Sequence, residues 1–181
     1  VVMDYVDGIA IDDTAELAAQ GYDCAEIGEK LMDNYASQML DDGFFHADPH
    51  PGNLVVSGGK IVYMDLGIMG RLNASDRRCV SDMVMAVARR DSAGLADGLL
   101  RFSVGDTSEV DYAHLLGELD AIIANYGAAD LSDLDIGGFV NSLVTMARRN
   151  GIELPSSVTM LARALVTLEG VVDNLLPNAS M

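Results

Sequence analysis

Three side chains with oxygen donors bracket one predicted β-hairpin, and their order is the feature of this sequence that most clearly indicates chemistry. Asp48 and Asn53 lie five residues apart just before the hairpin, and Asp65 follows it directly. Because a hairpin brings its two ends together, Asp65 should face the first two residues. Carboxylate and amide oxygens suit Mg²⁺, which takes few protein ligands and completes its shell with phosphate oxygens and water. A separate carboxylate can accept the proton of an attacking hydroxyl, so this order predicts phosphoryl transfer.

The elements that position these side chains follow from the apolar pattern. Residues 54–56 and 61–64 form two β-prone runs on either side of Ser-Gly-Gly-Lys, which predicts the hairpin and gives the only strong strand signal after the apolar opening residues 1–6. Apolar residues at four-residue spacing predict a long amphipathic helix over 24–42. The segment from 73 to 176 shows only helical periodicity and cap signals.

Composition narrows the function classes. The chain has 181 residues, 50% of them hydrophobic, so it can bury a core. Its 28 acidic and 11 basic residues give a net charge of −17, which excludes nucleic acid as a partner and electrostatic docking on an anionic membrane. The middle third, residues 46–90, carries four acids and six bases and is the best place for an anionic ligand. Two distant cysteines, Cys24 and Cys79, fit a reducing cytoplasm.

The amino-acid sequence around the hairpin resembles that of a known family. Residues 44–53 read Phe-Phe-His-Ala-Asp-Pro-His-Pro-Gly-Asn, and residues 65–67 read Asp-Leu-Gly. We refer to residues 46–53 as the catalytic loop and to residues 65–67 as the metal loop. Together they resemble the UbiB/AarF family of atypical kinases, linked to ubiquinone biosynthesis. Residues 3–6 resemble a kinase hinge, and the stretch 160–176 is similar to the late helix of that family.

The resemblance covers essentially the whole chain and implies its fold. It implies a mainly α structure with a small β-hairpin, the C-lobe of a protein-kinase-like fold without the N-lobe. Residues 1–8 would be the hinge, 24–42 the long helix, 44–70 the catalytic loop, hairpin and metal loop, and 73–176 a helical subdomain. We expect a single lobe, truncated at both ends.

The resemblance also implies a role for each matching residue. Asp48 would be the catalytic aspartate, and Asn53 and Asp65 would hold Mg²⁺ beside ATP. His46 takes the place of a histidine that is usually structural. His50 stands where many kinases have a phosphate-contacting lysine, so both contact with the γ-phosphate and ordering of the loop stay open. The adenine side would be formed by four residues: Met3, Asp4, Val6 and Val55.

Several departures limit the resemblance. Ala47 replaces the arginine of many protein kinases, Leu66 replaces the usual phenylalanine, and few residues separate Gly67 from the next helix. These features speak against a conventional protein kinase. The only lysines, Lys30 and Lys60, do not lie on a strand before the hinge, so the nucleotide-clamping lysine of the N-lobe is missing. We therefore expect the isolated chain to bind Mg-nucleotide weakly and to transfer no phosphate.

The expected partners come from the family and not from this chain. They are ATP, prenylquinone-precursor lipids and proteins of quinone biosynthesis. The expected location is the cytoplasm of a bacterial cell, with peripheral attachment to the inner face of the plasma membrane through regions outside these residues. Two other functions stay open: a small-molecule kinase similar to aminoglycoside and choline kinases, and a nucleotide-responsive scaffold with little turnover. The alternation of His46, Asp48 and His50 also resembles a transition-metal site, but lacks the fourth ligand that zinc needs.

Overall fold

The computed structural model describes residues 5–126 and 135–176 as a set of helices with two small antiparallel sheets. The strands are β1 (Ile9–Ala10), β2 (Phe44–His46), β3 (Leu54–Ser57), β4 (Lys60–Tyr63) and β5 (Met69–Arg71). The α-helices are α1 (Thr14–Ala19), α2 (Cys24–Ser37), α3 (Ala74–Ala88), α4 (Ser92–Phe102), α5 (Tyr112–Tyr126), α6 (Ile136–Arg149) and α7 (Ser156–Leu175). A π-helical turn spans Gln38–Asp42, and a 3₁₀ turn spans Pro51–Asn53.

Each of the first two helices begins at an aspartate cap. The Asp13 carboxylate accepts the backbone N–H of Glu16 at 3.0 Å, and the Asp23 carboxylate accepts that of Ala25 at 2.8 Å. Both aspartates thus satisfy an N–H group that the first helical turn leaves unpaired. Helix α2 runs on through the π-helical turn to Gly43, whose left-handed φ of 63° ends it. The long helix expected over 24–42 is therefore present, with its last turn widened.

The predicted hairpin is also present. Strands β3 and β4 pair antiparallel from Leu54 opposite Tyr63 to Ser57 opposite Lys60. The two residues between the strands are Gly58 and Gly59, with φ of 55° and 75°. Two successive left-handed residues match the twist of a tight hairpin, and glycine adopts them without steric cost. The register places the residue before β3 beside the residue after β4, which is the geometry that the candidate site requires.

The expectation of a single β-hairpin was incomplete. β1 adds to the open edge of β3, and β2 pairs with β5 in a second sheet, with Phe45 opposite Gly70. These strands have two or three residues, too few to show an alternating pattern. The β-prone opening run 1–6 was assigned as a strand, but residues 5–8 carry no regular structure, and residues 1–4 lie outside the described residues.

Two separate clusters of apolar side chains hold these elements together. The first core joins α1, α2, the strands and α7, and its fully buried members include Leu31, Phe45 and Leu54. The second core joins α3 to α6 and includes Leu95 and Leu119, also fully buried. Helix α7 therefore secures the strand-containing part, while the second core lies within the helical part. We refer to residues 43–72 as the loop region and to the part from α3 to α7 as the helical region.

A small apolar cavity lies in the helical region. It has a volume of about 150 Å³, and every residue that lines it is apolar. The lining comes from α3, α4, α6 and α7 and includes Val84, Leu99, Leu143 and Ala162. None of the helices in the described ranges is both long and apolar enough to cross a membrane.

Candidate active site

A buried histidine connects the catalytic loop to the metal loop. His46 ends β2 with only 1% of its surface exposed. Its Nδ1 accepts the backbone N–H of Asp48 at 3.3 Å, so Nε2 carries the ring proton and donates it to the backbone carbonyl of Asp65. One imidazole ring thus bonds to the backbone of both candidate aspartates. The structural role expected for His46 agrees with these contacts.

Asn53 is oriented by the catalytic loop itself. Its side-chain N–H donates to the backbone carbonyl of Asp48 at 3.1 Å, which leaves the amide oxygen for another ligand. Its backbone carbonyl accepts the N–H of Met64 at 2.9 Å, continuing the β3–β4 pairing by one step. Asn53 therefore lies beside the residue that precedes Asp65. The hairpin brings the two predicted magnesium ligands to the same end of the sheet, as the sequence implied.

His50 orders the loop in this structure. Its Nδ1 accepts the backbone N–H of Gly52 at 3.1 Å and caps the 3₁₀ turn that ends at Asn53. Its Nε2 lies 3.7 Å from a carboxylate oxygen of Asp48. Both side chains are nearly half exposed. Of the two roles left open for His50, loop ordering is supported by these contacts, and contact with a phosphate stays a prediction.

The metal loop is open to solvent. One oxygen of Asp65 accepts the backbone N–H of Gly67 at 2.7 Å, so the other is left for a cation. Leu66 and Ile68 are 63% and 53% exposed. Strand β5 begins after these residues and is held by the bond from Ala47 N–H to the Ile68 carbonyl, 3.0 Å long. The candidate site therefore lies on an open surface, with its polar groups accessible.

The predicted adenine-side residues are only partly described. Met3 and Asp4 lie outside the described residues. Val6 and Val55 are half-buried. The segment after Val6 lies against the hairpin, because the Ser57 hydroxyl donates to the Asp7 carbonyl at 2.6 Å and a Cβ built on Gly8 would lie 3.1 Å from Val55 Cγ2. Asp7 and Gly8 are thus adjacent to Val55 and Ser57, and the nucleotide role of the hinge residues and of Val55 stays a prediction.

The donor set fits Mg²⁺ better than a transition metal. Across residues 5–126 and 135–176, no group of three or more His, Cys, Asp or Glu side chains is placed to hold a metal ion. Both ring nitrogens of His46 already bond to backbone groups, so this ring cannot ligate without losing them. Asn53 and Asp65 offer the one or two oxygen ligands with which proteins usually hold Mg²⁺ beside phosphates.

A polar network behind His46 was not predicted from the sequence. The Gln38 side-chain oxygen accepts the His46 backbone N–H at 3.0 Å, and the Tyr35 hydroxyl donates to the His46 carbonyl at 2.6 Å. Asn34 accepts bonds from the Gln38 amide at 2.7 Å and from the Tyr63 hydroxyl at 2.9 Å. The available signal was the i, i+4 spacing of Asn34 and Gln38 on α2, which alone does not indicate what lies opposite.

Burial keeps the two phenols of this network protonated. It raises the pKa of Tyr35 far above its ordinary range, and the nearby Tyr63 adds to the effect. Burial also raises the pKa of Tyr63, while a hydrogen bond with Gln38 partly offsets it. Both hydroxyls therefore stay protonated to a higher pH than an ordinary phenol does.

Comparison with known proteins agrees with this geometry. An ABC1 atypical kinase-like domain matches residues 1–98, and a UbiB helical domain matches residues 107–180. An uncharacterized protein in the hydrogenase 1 5′ region of Clostridium pasteurianum is 33% identical over 181 residues, covering 100% of this chain and 34% of that protein.

Two named relatives are similar along nearly the whole chain. "Activity of BC1 complex kinase 7, chloroplastic" of Arabidopsis thaliana is 30% identical over 176 residues, covering 94% of this chain and 25% of that protein. The "probable protein kinase UbiB" of Pasteurella multocida is 28% identical over 188 residues, covering 100% of this chain and 35% of that protein. The chain therefore spans about a third or less of the length of these three relatives.

The resemblance to the UbiB/AarF family is confirmed by these matches. The catalytic loop, the hairpin and the metal loop all lie within the first matched range, and α5 to α7 lie within the second. The chain belongs to the ABC1 atypical kinase-like family and carries a UbiB helical domain beside the kinase-like one.

Proposed function

We propose that this chain is the catalytic C-lobe of a UbiB-type kinase or ATPase that uses Mg-ATP and supports prenylquinone biosynthesis. The observation that carries the proposal is the pair of bonds from His46, which hold the backbones of Asp48 and Asp65 around one ring. Phosphoryl transfer depends mainly on positioning and electrostatic stabilisation, so two carboxylates held in a fixed relation are its basic requirement.

Each residue has a separate task in this proposal. Asp48 orients the acceptor hydroxyl or water and takes its proton. Asn53 and Asp65 hold Mg²⁺, which when bound neutralises charge on the phosphate oxygens. His50 keeps the 3₁₀ turn closed, so that the Asn53 oxygen faces the cation. The adenine is contacted by Val55 and by the hinge residues Met3, Asp4 and Val6.

The acceptor is a prenylquinone precursor or water in this proposal. The family match favours it over a kinase of the aminoglycoside or choline type. Attachment to the inner face of the plasma membrane, and contacts with other proteins of quinone biosynthesis, would come from parts of the complete protein outside this chain. The open surface around Leu66 and Ile68 offers an apolar acceptor a place beside the two aspartates.

The decisive experiment measures Mg²⁺-dependent ADP release by the complete protein, with and without vesicles that contain a prenylquinone precursor. Asp48→Asn and Asp65→Asn should each lower turnover about 100-fold or more, the usual contribution of a positioned proton acceptor or charge-stabilising group. Asp120→Asn is the matched control, because Asp120 is exposed on α5 within the helical region.

The outcomes separate the functions that the sequence left open. Turnover that rises with the precursor vesicles and is lost in both variants supports the lipid-responsive kinase or ATPase. Turnover that responds instead to a small alcohol such as choline favours the small-molecule kinase. If nucleotide binds but neither the wild type nor the variants release ADP, the proposed catalysis is contradicted and the scaffold function is left.

A further inference from the structure

We propose that Gln38 is a positioning residue that sets the relation between the catalytic loop and the metal loop through His46. The proposal rests on the proposed function of those loops. Gln38 lies at the start of the π-helical turn. Such turns are rare in proteins, and those that occur often lie at functional sites. Its side chain is half-buried and points at the end of β2, where His46 begins the catalytic loop.

The orientation of the Gln38 amide is fixed by its partners. The His46 backbone N–H can only donate, so the Gln38 oxygen must face it, at 3.0 Å. The amide nitrogen then donates to the Asn34 side-chain oxygen at 2.7 Å, which also accepts the Tyr63 hydroxyl at 2.9 Å. These bonds run from α2 to β4 and leave Gln38 a single arrangement in which its oxygen and its amide nitrogen are both paired.

Both backbone polar groups of His46 are bonded to side chains of α2 and the π-helical turn. Gln38 binds its N–H and Tyr35 binds its carbonyl at 2.6 Å, while its ring lies 5.2 Å from that of Tyr63. The opposite edge of β2 pairs with β5, so the edge that faces Gln38 has no strand partner among the described residues. Gln38 thus supplies the acceptor that a buried strand end requires.

The consequence reaches both loops because the His46 ring bonds to both. Its Nδ1 holds the Asp48 N–H, and its Nε2 holds the Asp65 carbonyl. A shift of the His46 backbone therefore changes the positions of two groups that must act on the same phosphate. Misplacement by about 1 Å can cost about 100-fold in rate, so partial loss of this support should cost about tenfold.

The test compares variants of the complete protein in Mg-ATP turnover. Gln38→Met keeps the side-chain length but removes the acceptor, and should lower kcat about tenfold with the KM for Mg-ATP within about twofold. Gln38→Glu keeps an oxygen for the His46 N–H. The Asn34 amide can turn its N–H₂ group toward the second carboxylate oxygen, so this variant should restore most of kcat. Gln20→Met is the matched control, because the Gln20 side chain is exposed and bonds to the Glu16 side chain at 2.9 Å, away from both loops.

Hydrogen exchange read by mass spectrometry gives a second readout that needs no turnover. In Gln38→Met, exchange should rise both in residues 44–53 and in residues 62–68, with the melting temperature close to that of the Gln20→Met control. If Gln38→Met does not fold, Gln38→Asn replaces it, since its amide ends one methylene short of His46.

The results distinguish this proposal from the function on which it rests. If the wild type shows no Mg-ATP turnover, the proposed function is contradicted. The hydrogen-exchange data alone then decide whether Gln38 positions the two loops. Exchange that rises only in residues 44–47, or a kcat equal to that of the Gln20→Met control, overturns the positioning role. A kcat that Gln38→Glu fails to restore at normal stability also overturns it, because the acceptor would then not matter.

Discussion

The loop region and the helical region are stabilised in different ways. In the loop region, single backbone groups bond to the side chains of His46, His50 and Asn53, and no regular element exceeds four residues. In the helical region, long helices pack apolar side chains around Leu95 and Leu119, and the cavity there has only apolar walls.

This difference has a physical reason. Hydrogen bonds are directional, so they can fix the positions of a few polar groups on an open surface. Apolar packing depends on volume and tolerates changes that conserve it. The candidate site therefore depends on directional hydrogen bonds, while apolar packing stabilises both regions, the loop region through the first core and the helical region through the second. Four pairs of variants test this contrast, from the largest expected effect to the smallest.

Truncation of one leucine in each region should cost similar stability but different function. Leu54 and Leu119 are both fully buried, so Leu54→Ala and Leu119→Ala should each lower the free energy of unfolding by about 3 kcal/mol. Leu54 follows Asn53, whose backbone bonds place it beside Met64. Urea unfolding measures the first effect, and Mg-nucleotide titration should show weaker binding for Leu54→Ala alone. Equal binding by the two variants would contradict the contrast.

Adding one methyl group to a glycine should be costly in the loop region and tolerated in the helical region. A Cβ on Gly70 would overlap the fully buried ring of Phe45, so Gly70→Ala should cost about 2 kcal/mol. A Cβ on Gly98 would meet Met83 at Cγ, and this unbranched side chain can move away only by changing its rotamer. Helix propensity favours alanine there by about 1 kcal/mol, so Gly98→Ala should stay within about 1 kcal/mol of wild type. A larger loss for Gly98→Ala in thermal unfolding would reverse the comparison.

Filling the apolar cavity should stabilise the helical region without affecting the site. Ala162→Leu adds apolar volume to a cavity of about 150 Å³ and should raise stability by about 1 kcal/mol. Ala18→Leu on the exposed side of α1 is the control and should change little. Thermal unfolding measures both variants. A lower melting temperature for Ala162→Leu would show that the cavity walls cannot accommodate the added carbons.

The smallest effect concerns the contact between α6 and α7. Burial raises the pKa of Glu169 above its ordinary value of 4.5, and the N–H groups of Gly137 and Ile136 only partly offset this. Folding therefore favours the protonated carboxyl, so its contribution is present below pH 4.5 and is lost as the pH rises through the raised pKa. Glu169→Gln should flatten that decline, which thermal unfolding at a series of pH values measures.

Exposed Glu109, also in the helical region, offers the matched control for that series. Glu109→Gln removes an exposed carboxyl by the same substitution, so it measures the effect of the amide replacement itself. If the stability of the wild type rises as the pH increases from 4.5 through the raised pKa of Glu169, the predicted direction of the pH dependence is wrong. An unchanged slope in Glu169→Gln would contradict the assignment to this carboxyl.

Much of the fold and of the site could be predicted because its signals are local. The cap residues Asp13 and Asp23 bond to N–H groups two or three residues away, and Gly58-Gly59 selects the hairpin turn. The hairpin in turn brings Asn53 next to Met64, one residue before Asp65. The order of residues therefore predicted which groups meet.

The residues that hold the site were not predictable, because their partners are distant in sequence. The pairing of β2 with β5 joins residues about 25 positions apart, and its strands are too short to show a pattern. Nothing in the sequence places Gln38 opposite the His46 N–H, since the π-helical turn that carries it has no composition signal.

The sequence by itself determined which polar residues the loops carry, the hairpin that joins them and the helical character of the rest, since these depend on residue type and short spacing. Only the tertiary structure decided that two cores form, that Phe45 lies over Gly70, and that α2 supports His46 from behind. Those features require elements far apart in the chain to pack together, and packing depends on the shapes of both surfaces. The loops thus carry the candidate site residues, and the surrounding fold fixes their relative positions.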